Sequence, residues 1–308
     1  MTPVSQRSRR VAPCVSRSRA TASWEPIRES CLRYRAASRN LAPDRGIAVP
    51  FPYMPTTVFI LGSHPALSAA ELSSHAQRRG FSVSWDLSRL PVALFGSGSL
   101  PSPVELLPML GGTTMIGTLR TTFPSYPSAA DVVTAVPEIL EPRQGKRLVG
   151  LFALPFSATV RLHHLPPERH SVMPVRELAM ELKRTMGMRG TRVVFPPRQR
   201  PDLSTAQLLH NKLPAAGTAI ALLVAPERVD LVTIEAIQDI EAYATRDRGR
   251  PHADPGRGML PLKVAQMMVN LSLIPSGGTL YDPFCGVGAI PMEALLLGCS
   301  VVASDGSP

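Results

Sequence analysis

Thr279-Leu280-Tyr281-Asp282-Pro283-Phe284-Cys285-Gly286-Val287-Gly288-Ala289-Ile290 is the stretch that decides the C-terminal architecture of this 308-residue chain. Thr279-Leu280-Tyr281 reads as a strand, the turn Asp282–Gly288 follows, and a helix runs from about Ala289 to Leu297, where Gly298 ends it. Ser300–Ser304 is the next strand, and it stops at Asp305. The order is β, Gly-rich turn, α, β, with an acid at the end. Gly286 and Gly288 carry no Cβ, so a cofactor can approach the backbone closely. The amides that open the helix favour an anionic group such as a carboxylate. Asp305 lies 23 residues after Asp282, where a βαβ unit sets a carboxylate beside ribose hydroxyls. On spacing alone the turn also suits a nicotinamide or flavin, or a plain Gly turn with no ligand. A dinucleotide turn needs G-x-G-x-x-G, and Pro291 holds the third glycine position. Asp282 at the head of the loop further favours a ligand without a pyrophosphate.

Upstream, Pro261–Leu273 reads as a helix with Pro261 in its first turn. Leu262, Ala265, Gln266, Val269 and Ser272 recur at helical spacing, and Pro275-Ser276-Gly277-Gly278 breaks the run. Residues 238–258 are rich in Gly, Pro and charge from Thr245 onward and read as an interdomain connector. Between Met54 and Ile237, strands and helices mix without strict alternation, which predicts an α+β module or two small ones. Expected strands are Thr57–Leu61, Phe81–Trp85, Val92–Phe95, Thr114–Leu119, Leu148–Phe152, Thr159–Leu162, Thr191–Phe195, Ala219–Val224 and Val229–Ile237. Expected helices begin at Ser68, with Glu71 completing a capping box, and cover Val104–Leu110, Ala129–Leu140, Arg176–Met186 and a segment capped by Ser204.

The formal charge of +10 is unevenly spread. Residues 1–53 hold ten Arg against Glu25, Glu29 and Asp44, so they account for seven of those charges. This tail has no sustained apolar period. Its composition also fits a transit peptide or a phosphate-touching arm, but a disordered basic extension is the preferred reading, because orderly patterning begins abruptly at Met54. No apolar run reaches the roughly 18–20 residues of a membrane span. Cys14, Cys31, Cys285 and Cys299 form no CxxC pair and have no accompanying His cluster, so neither a zinc site nor a disulfide framework is expected. A reducing, cytoplasmic setting follows as the default.

Asp282–Ile290 resembles the first motif of class I methyltransferases that modify nucleic-acid amino groups. The segments before it sharpen the resemblance. Gln238-Asp239-Ile240-Glu241-Ala242-Tyr243, Arg246-Asp247, Gly249-Arg250-Pro251, and Gly258-Met259-Leu260-Pro261 with Lys263, Ala265-Gln266 and Asn270-Leu271 are similar to the tRNA guanine-N2 methyltransferases of the position-10 type that carry a THUMP region. Phe59-Ile60-Leu61-Gly62, Pro65, Leu67-Ser68, Glu71-Leu72 and Leu110-Gly111-Gly112-Thr113 with Ile116-Gly117 look like the start of that family. The resemblance spans residues 54 to 308 and is weakest in the middle.

The resemblance implies an α+β N-terminal region (ferredoxin-like plus THUMP-like, residues 54–237) that holds tRNA by shape and phosphate contacts. A connector over 238–258 would follow, and then the opening of a Rossmann-like α/β methyltransferase domain over 259–308. S-adenosyl-L-methionine would be bound by Asp282, Phe284, Gly286, Gly288 and Asp305, with Pro261 bordering its methionine end. RNA contacts would come from Arg189, Arg192, Arg198, Arg200, Asn211 and Lys212, although a solvated face explains each equally well. Cys285 would pack rather than attack, because amine methylation needs no covalent intermediate. Val287 and Ala289 depart from the common Ser and Thr and remove two hydroxyls. A small activator subunit is left open, and no membrane is implied. The family's Asp/Asn-Pro-Pro-aromatic loop, which aligns the target amine, is missing: Pro166-Pro167 and Pro196-Pro197 lack the flanking residues. The chain is therefore expected to be a fragment, inactive by itself. Competing expectations are a methyltransferase for an rRNA or DNA amino group, and a non-catalytic RNA-binding protein.

Overall fold

The computed structural model describes residues 56–84, 93–97, 100–123, 128–139, 147–155, 175–187, 191–195, 203–225, 228–249, 259–275 and 277–306. The basic tail and the expected strand Thr159–Leu162 lie outside them. The elements are β1 (Thr56–Leu61), α1 (Pro65–Arg79), β2 (Ser82–Ser84), β3 (Ala93–Ser97), α2 (Pro103–Leu106), a 3-10 turn (Leu107–Met109), β4 (Thr113–Phe123), α3 (Ala129–Ile139), β5 (Arg147–Pro155), α4 (Val175–Gly187), β6 (Thr191–Val194), α5 (Thr205–His210), β7 (Thr218–Ala225), β8 (Arg228–Ile237), α6 (Ile240–Arg248), α7 (Leu262–Leu271), β9 (Thr279–Asp282), α8 (Ala289–Leu296) and β10 (Ser300–Ala303).

One eight-stranded sheet, ordered β2-β3-β1-β4-β8-β7-β5-β6, gathers every described strand from Thr56 to Ile237. Where the sequence left one module or two, the pairing of β4 with β8, from Met115↔Ile237 to Phe123↔Val229, makes the sheet continuous. β5 pairs in parallel with β6 and β7, and the other neighbours are antiparallel. Strand side chains alternate faces. Ile220 and Leu222 of β7 enter a core with Leu178 and Leu182 of α4 and with Val132 and Val136 of α3. Ala219, Ala221 and Leu223 enter another with Leu208 of α5 and Val58 and Ile60 of β1. Phe59 and Leu61 pack with Leu72 and Ala76 of α1. Covered on both faces, β7 needs a continuous apolar run, and Thr218–Ala225 supplies one.

Two local readings are corrected. Helix α1 opens at Pro65 with His64 as N-cap, not at Ser68. Proline's fixed φ suits the first helical position, and Ser68 sits inside the helix with its hydroxyl donating to the His64 carbonyl (2.9 Å). Glu71 therefore closes no capping box. Its buried carboxylate accepts from the amides of Gly111 and Gly112, each at 2.8 Å. The expected connector is likewise helical over Ile240–Arg248, capped by Asp239, whose Oδ1 accepts from the Ala242 amide (2.9 Å). Helix α6 buries no residue fully, so it gives no apolar period to read. Residues 250–258 lie outside the described set.

Candidate functional site

β9 and β10 pair in parallel, from Thr279↔Ser300 to Asp282↔Ala303, with α8 as the crossover. Parallel pairing brings the two strand ends, and so Asp282 and Asp305, to the same edge of the unit. Backbone hydrogen bonds then close the loop onto β10: the Ser304 amide donates to the Asp282 carbonyl (2.9 Å) and the Cys285 amide to the Ser304 carbonyl (3.0 Å). Both acids bond to loop amides. Asp282 Oδ1 accepts from Phe284 N–H (3.1 Å), and Asp305 Oδ2 accepts from Gly286 N–H (2.8 Å). Gly286, Asp282 and Asp305 are thus brought together.

The two glycines are needed first for the backbone. Gly286 has φ +50° and Gly288 φ +79°, a region costly for residues with a Cβ. Gly288 is also the N-cap of α8, and its carbonyl accepts from the Met292 amide (3.0 Å). A Cβ built at either glycine meets no described residue within 4 Å, so among the described residues open space lies over the loop. Phe284 stands beside it with its side chain 85% exposed. Cys285 is half-buried and Cys299 is buried, and both are free thiols. Among the described residues no cluster of His, Cys, Asp or Glu could hold a metal.

Pro261 caps the start of α7. Just after it, Leu262 and Ala265 pack on Ala289, the first residue of α8, which sets the start of α7 beside the end of the loop. Pro261 also lines an open cleft of about 480 Å³ with His64, Gly111, Tyr243, Asp247 and Lys263. No residue of the Asp282–Gly288 loop lines this cleft, nor does Asp305. Burial lowers the Lys263 pKa, and its ammonium lies over the Tyr243 ring (5.2 Å).

Of the six candidate RNA contacts, Arg189, Arg198 and Arg200 fall outside the described residues. Arg192 is exposed on β6, the last strand of the sheet. Asn211 ends α5, where its Nδ2 donates to the Gln207 carbonyl (2.7 Å), so its amide has a structural partner. Lys212 is exposed and has φ +56°.

The sequence reading missed a polar stack beside the loop. Arg246 lies over the Tyr243 ring (4.5 Å) and pairs with Glu293 of α8 (3.1 Å), whose side chain is 1% exposed. The Tyr243 hydroxyl donates to Gln266 Oε1, and burial first, then the Glu293 charge, raises the Tyr243 pKa. The i, i+3 spacing of Tyr243 and Arg246 was the available signal, but a connector reading hides helical spacing.

Residues 249–306 match the family model described as UPF0020, RMKL-like, methyltransferase domain. The chain is 44% identical over 61 residues to a tRNA (guanine(10)-N2)-dimethyltransferase of Methanothermobacter thermautotrophicus, which is 19% of this chain and 18% of that relative. It is 42% identical over 62 residues to the enzyme of that name from Methanocaldococcus jannaschii, 19% of this chain and 17% of that one. The chain thus spans less than a fifth of the length of these two curated relatives. Among solved structures, TrmN from Thermus thermophilus is similar at TM-score 0.46 and 18% identity, covering 82% of this chain and 66% of that one. SMU.472, a putative methyltransferase complexed with SAH, is similar at TM-score 0.43 and 13% identity, covering 79% and 55%. Over residues 249–306, then, the chain carries the sequence pattern of the UPF0020 methyltransferase domain.

Proposed function

We propose that residues 259–306 form the cofactor-binding part of an S-adenosylmethionine-dependent methyltransferase, and that its acceptor is the 2-amino group of a guanine in tRNA. One observation carries the cofactor reading. The Asp282–Gly288 loop turns on two left-handed glycines with open space where their Cβ atoms would lie, and Asp305 is hydrogen-bonded to its middle. The bound cofactor would supply an electrophilic methyl group. The loop amides and the start of α8 would face its carboxylate, the Asp305 carboxylate would meet ribose hydroxyls, and the exposed Phe284 ring would offer an apolar wall. Asp282 would act through the loop, because its carboxylate fixes the Phe284 amide. Pro261 would border the cofactor from the start of α7. The acceptor reading rests on the partial likeness to the guanine(10)-N2 enzymes, with the sheet of residues 56–237 as the tRNA-holding part.

Calorimetric titration of the chain with S-adenosylhomocysteine tests the first half. Binding is expected, and Asp305→Ala should weaken it at least about tenfold, the loss of hydrogen bonds to a charged group. Equal affinity for NADH, or unchanged affinity in Asp305→Ala, would sink the cofactor reading. The acceptor is tested by methyl incorporation into tRNA by the protein that carries this segment. Replacing guanine by hypoxanthine, which has no 2-amino group, should abolish it. Incorporation that persists would redirect the reading to another amine.

A further inference from the structure

Three separate stretches meet in one buried cluster: Glu71 on α1, the turn 108–112, and Asn270 on α7. Glu71 has no exposed surface. Its carboxylate accepts from the Gly111 amide (2.8 Å), the Gly112 amide (2.8 Å) and Asn270 Nδ2 (2.7 Å). The same Nδ2 also donates to the Met109 carbonyl (2.8 Å). From the other side, Arg78 of α1 donates to Asn270 Oδ1 (3.0 Å) and to the Ile274 carbonyl (3.0 Å). The turn is held along its length. Gln266 Nε2 donates to the Pro108 carbonyl (2.8 Å), Gln238 Nε2 to those of Leu110 and Gly111, and Gly62 N–H to that of Gly112 (2.8 Å).

The turn also has no room to shift. A Cβ on Gly111 would stand 2.4 Å from the Lys263 carbonyl oxygen, and one on Gly112 would stand 2.7 Å from Met267 Sδ and from Ser68 Cα. Backbone therefore lies directly between α1 and α7. Among the described residues, the apolar cluster under α1 shares no residue with the clusters of α7, α8 and β9. Apolar contact is non-directional and tolerates sliding. Short hydrogen bonds to a buried carboxylate are directional, and leaving one unmade is costly.

We infer that Glu71 is a positioning residue that couples the two halves of the molecule. Through Gly111, Gly112 and Asn270 it holds α7, and with it β9 and α8, which pack on α7 and flank the Asp282–Gly288 loop, in one place against the eight-stranded sheet. The inference concerns the junction alone and stands whether or not the loop binds S-adenosylmethionine.

Hydrogen–deuterium exchange on the full 308-residue chain at pH 8 tests it. Glu71→Gln keeps the shape but offers a single acceptor oxygen, and sets its NH2 either against the Gly112 amide or against the Gly111 amide and Asn270 Nδ2. Exchange should rise about tenfold or more at Gly111, Gly112 and across residues 262–303, while β5, β7 and β8 keep wild-type protection. Asn270→Ala approaches the cluster from α7 and should give the same pattern, so a Glu71 variant that fails to fold does not leave the matter open. Unchanged exchange over 262–303, or a rise spread equally over the sheet, would overturn the coupling role, since a residue that merely stabilised α1 would loosen β1 and β4 instead.

Discussion

Single residues at the junction and the loop separate two reasons for glycine. At Gly286 the requirement is a positive φ with open space around it, so Gly286→Ala should cost about 1 kcal/mol. At Gly111 the φ is ordinary but a Cβ would meet the Lys263 carbonyl. Gly111→Ala should therefore cost more, about 1–3 kcal/mol, as measured by urea unfolding of the two variants side by side. Glu71 and His75 make a second residue-scale case, one turn apart on α1. Burial pushes Glu71 up to about 7, against the pull of Asn270 and the two glycine amides. Burial, then the charges of Arg78 and Arg79, pushes His75 down to about 4 against the opposing pull of Asn270. The native state therefore binds the Glu71 proton more tightly than the unfolded chain does, so its contribution is present below pH 4.5 and is lost as pH rises through about 7. His75 behaves oppositely: its contribution is present above pH 6.5 and is lost as pH falls through about 4. The two offset between those limits. His75→Gln should uncover a fall in unfolding free energy on the order of 3 kcal/mol from pH 4.5 to 7, and Glu71→Gln a rise toward neutral pH. Parallel pH profiles for wild type and both variants would refute the pairing.

At the scale of elements, caps and clasps decide which segments are ordered. Helix α5 has only six residues, yet it carries a full capping box: Ser204 and Gln207 bond reciprocally. Ser204→Ala should cost about 1 kcal/mol in thermal or urea unfolding. Helix α6 is fixed from outside, through the Arg246–Glu293 pair and the Tyr243–Gln266 bond. Arg246→Ala removes the ion pair that ties α6 to the buried Glu293 carboxylate of α8, and should cost about 3 kcal/mol. It should loosen α6 and α8 together in hydrogen exchange; an effect confined to α6 would mean that the pair does not tie the elements.

At the scale of the whole molecule, β8 decides the architecture, because it pairs with β4 on one side and β7 on the other. The far edge of that sheet carries Arg192, and Lys212 follows α5. If this region holds tRNA by its phosphates, replacing both cations with Ala should lower the salt slope of binding by about 2, roughly one per contact, without changing sequence preference. A slope unchanged within error would assign both side chains to a solvated face.

The C-terminal unit was legible because its information is local. A strand, a turn with glycines two apart, a helix and a second strand ending in an acid sit within 27 residues of sequence, and parallel pairing follows from that order. Helix α4 was legible for the same reason, since its apolar face repeats every turn. The junction was not. The Ser68–Glu71 spacing fits a capping box as well as it fits the observed arrangement, and only folding brings Glu71 to Gly111, Gly112 and Asn270, which lie 40 to 199 positions away along the chain. Sequence by itself determined the glycine turn between β9 and α8 and most strands and helices, through periodicity, glycine and capping chemistry acting over a few residues. Tertiary structure alone decided that residues 56–237 form one sheet and that α7 is held against it by a buried carboxylate. Pairing partners and buried hydrogen bonds depend on which distant backbone groups fall within about 3 Å of one another.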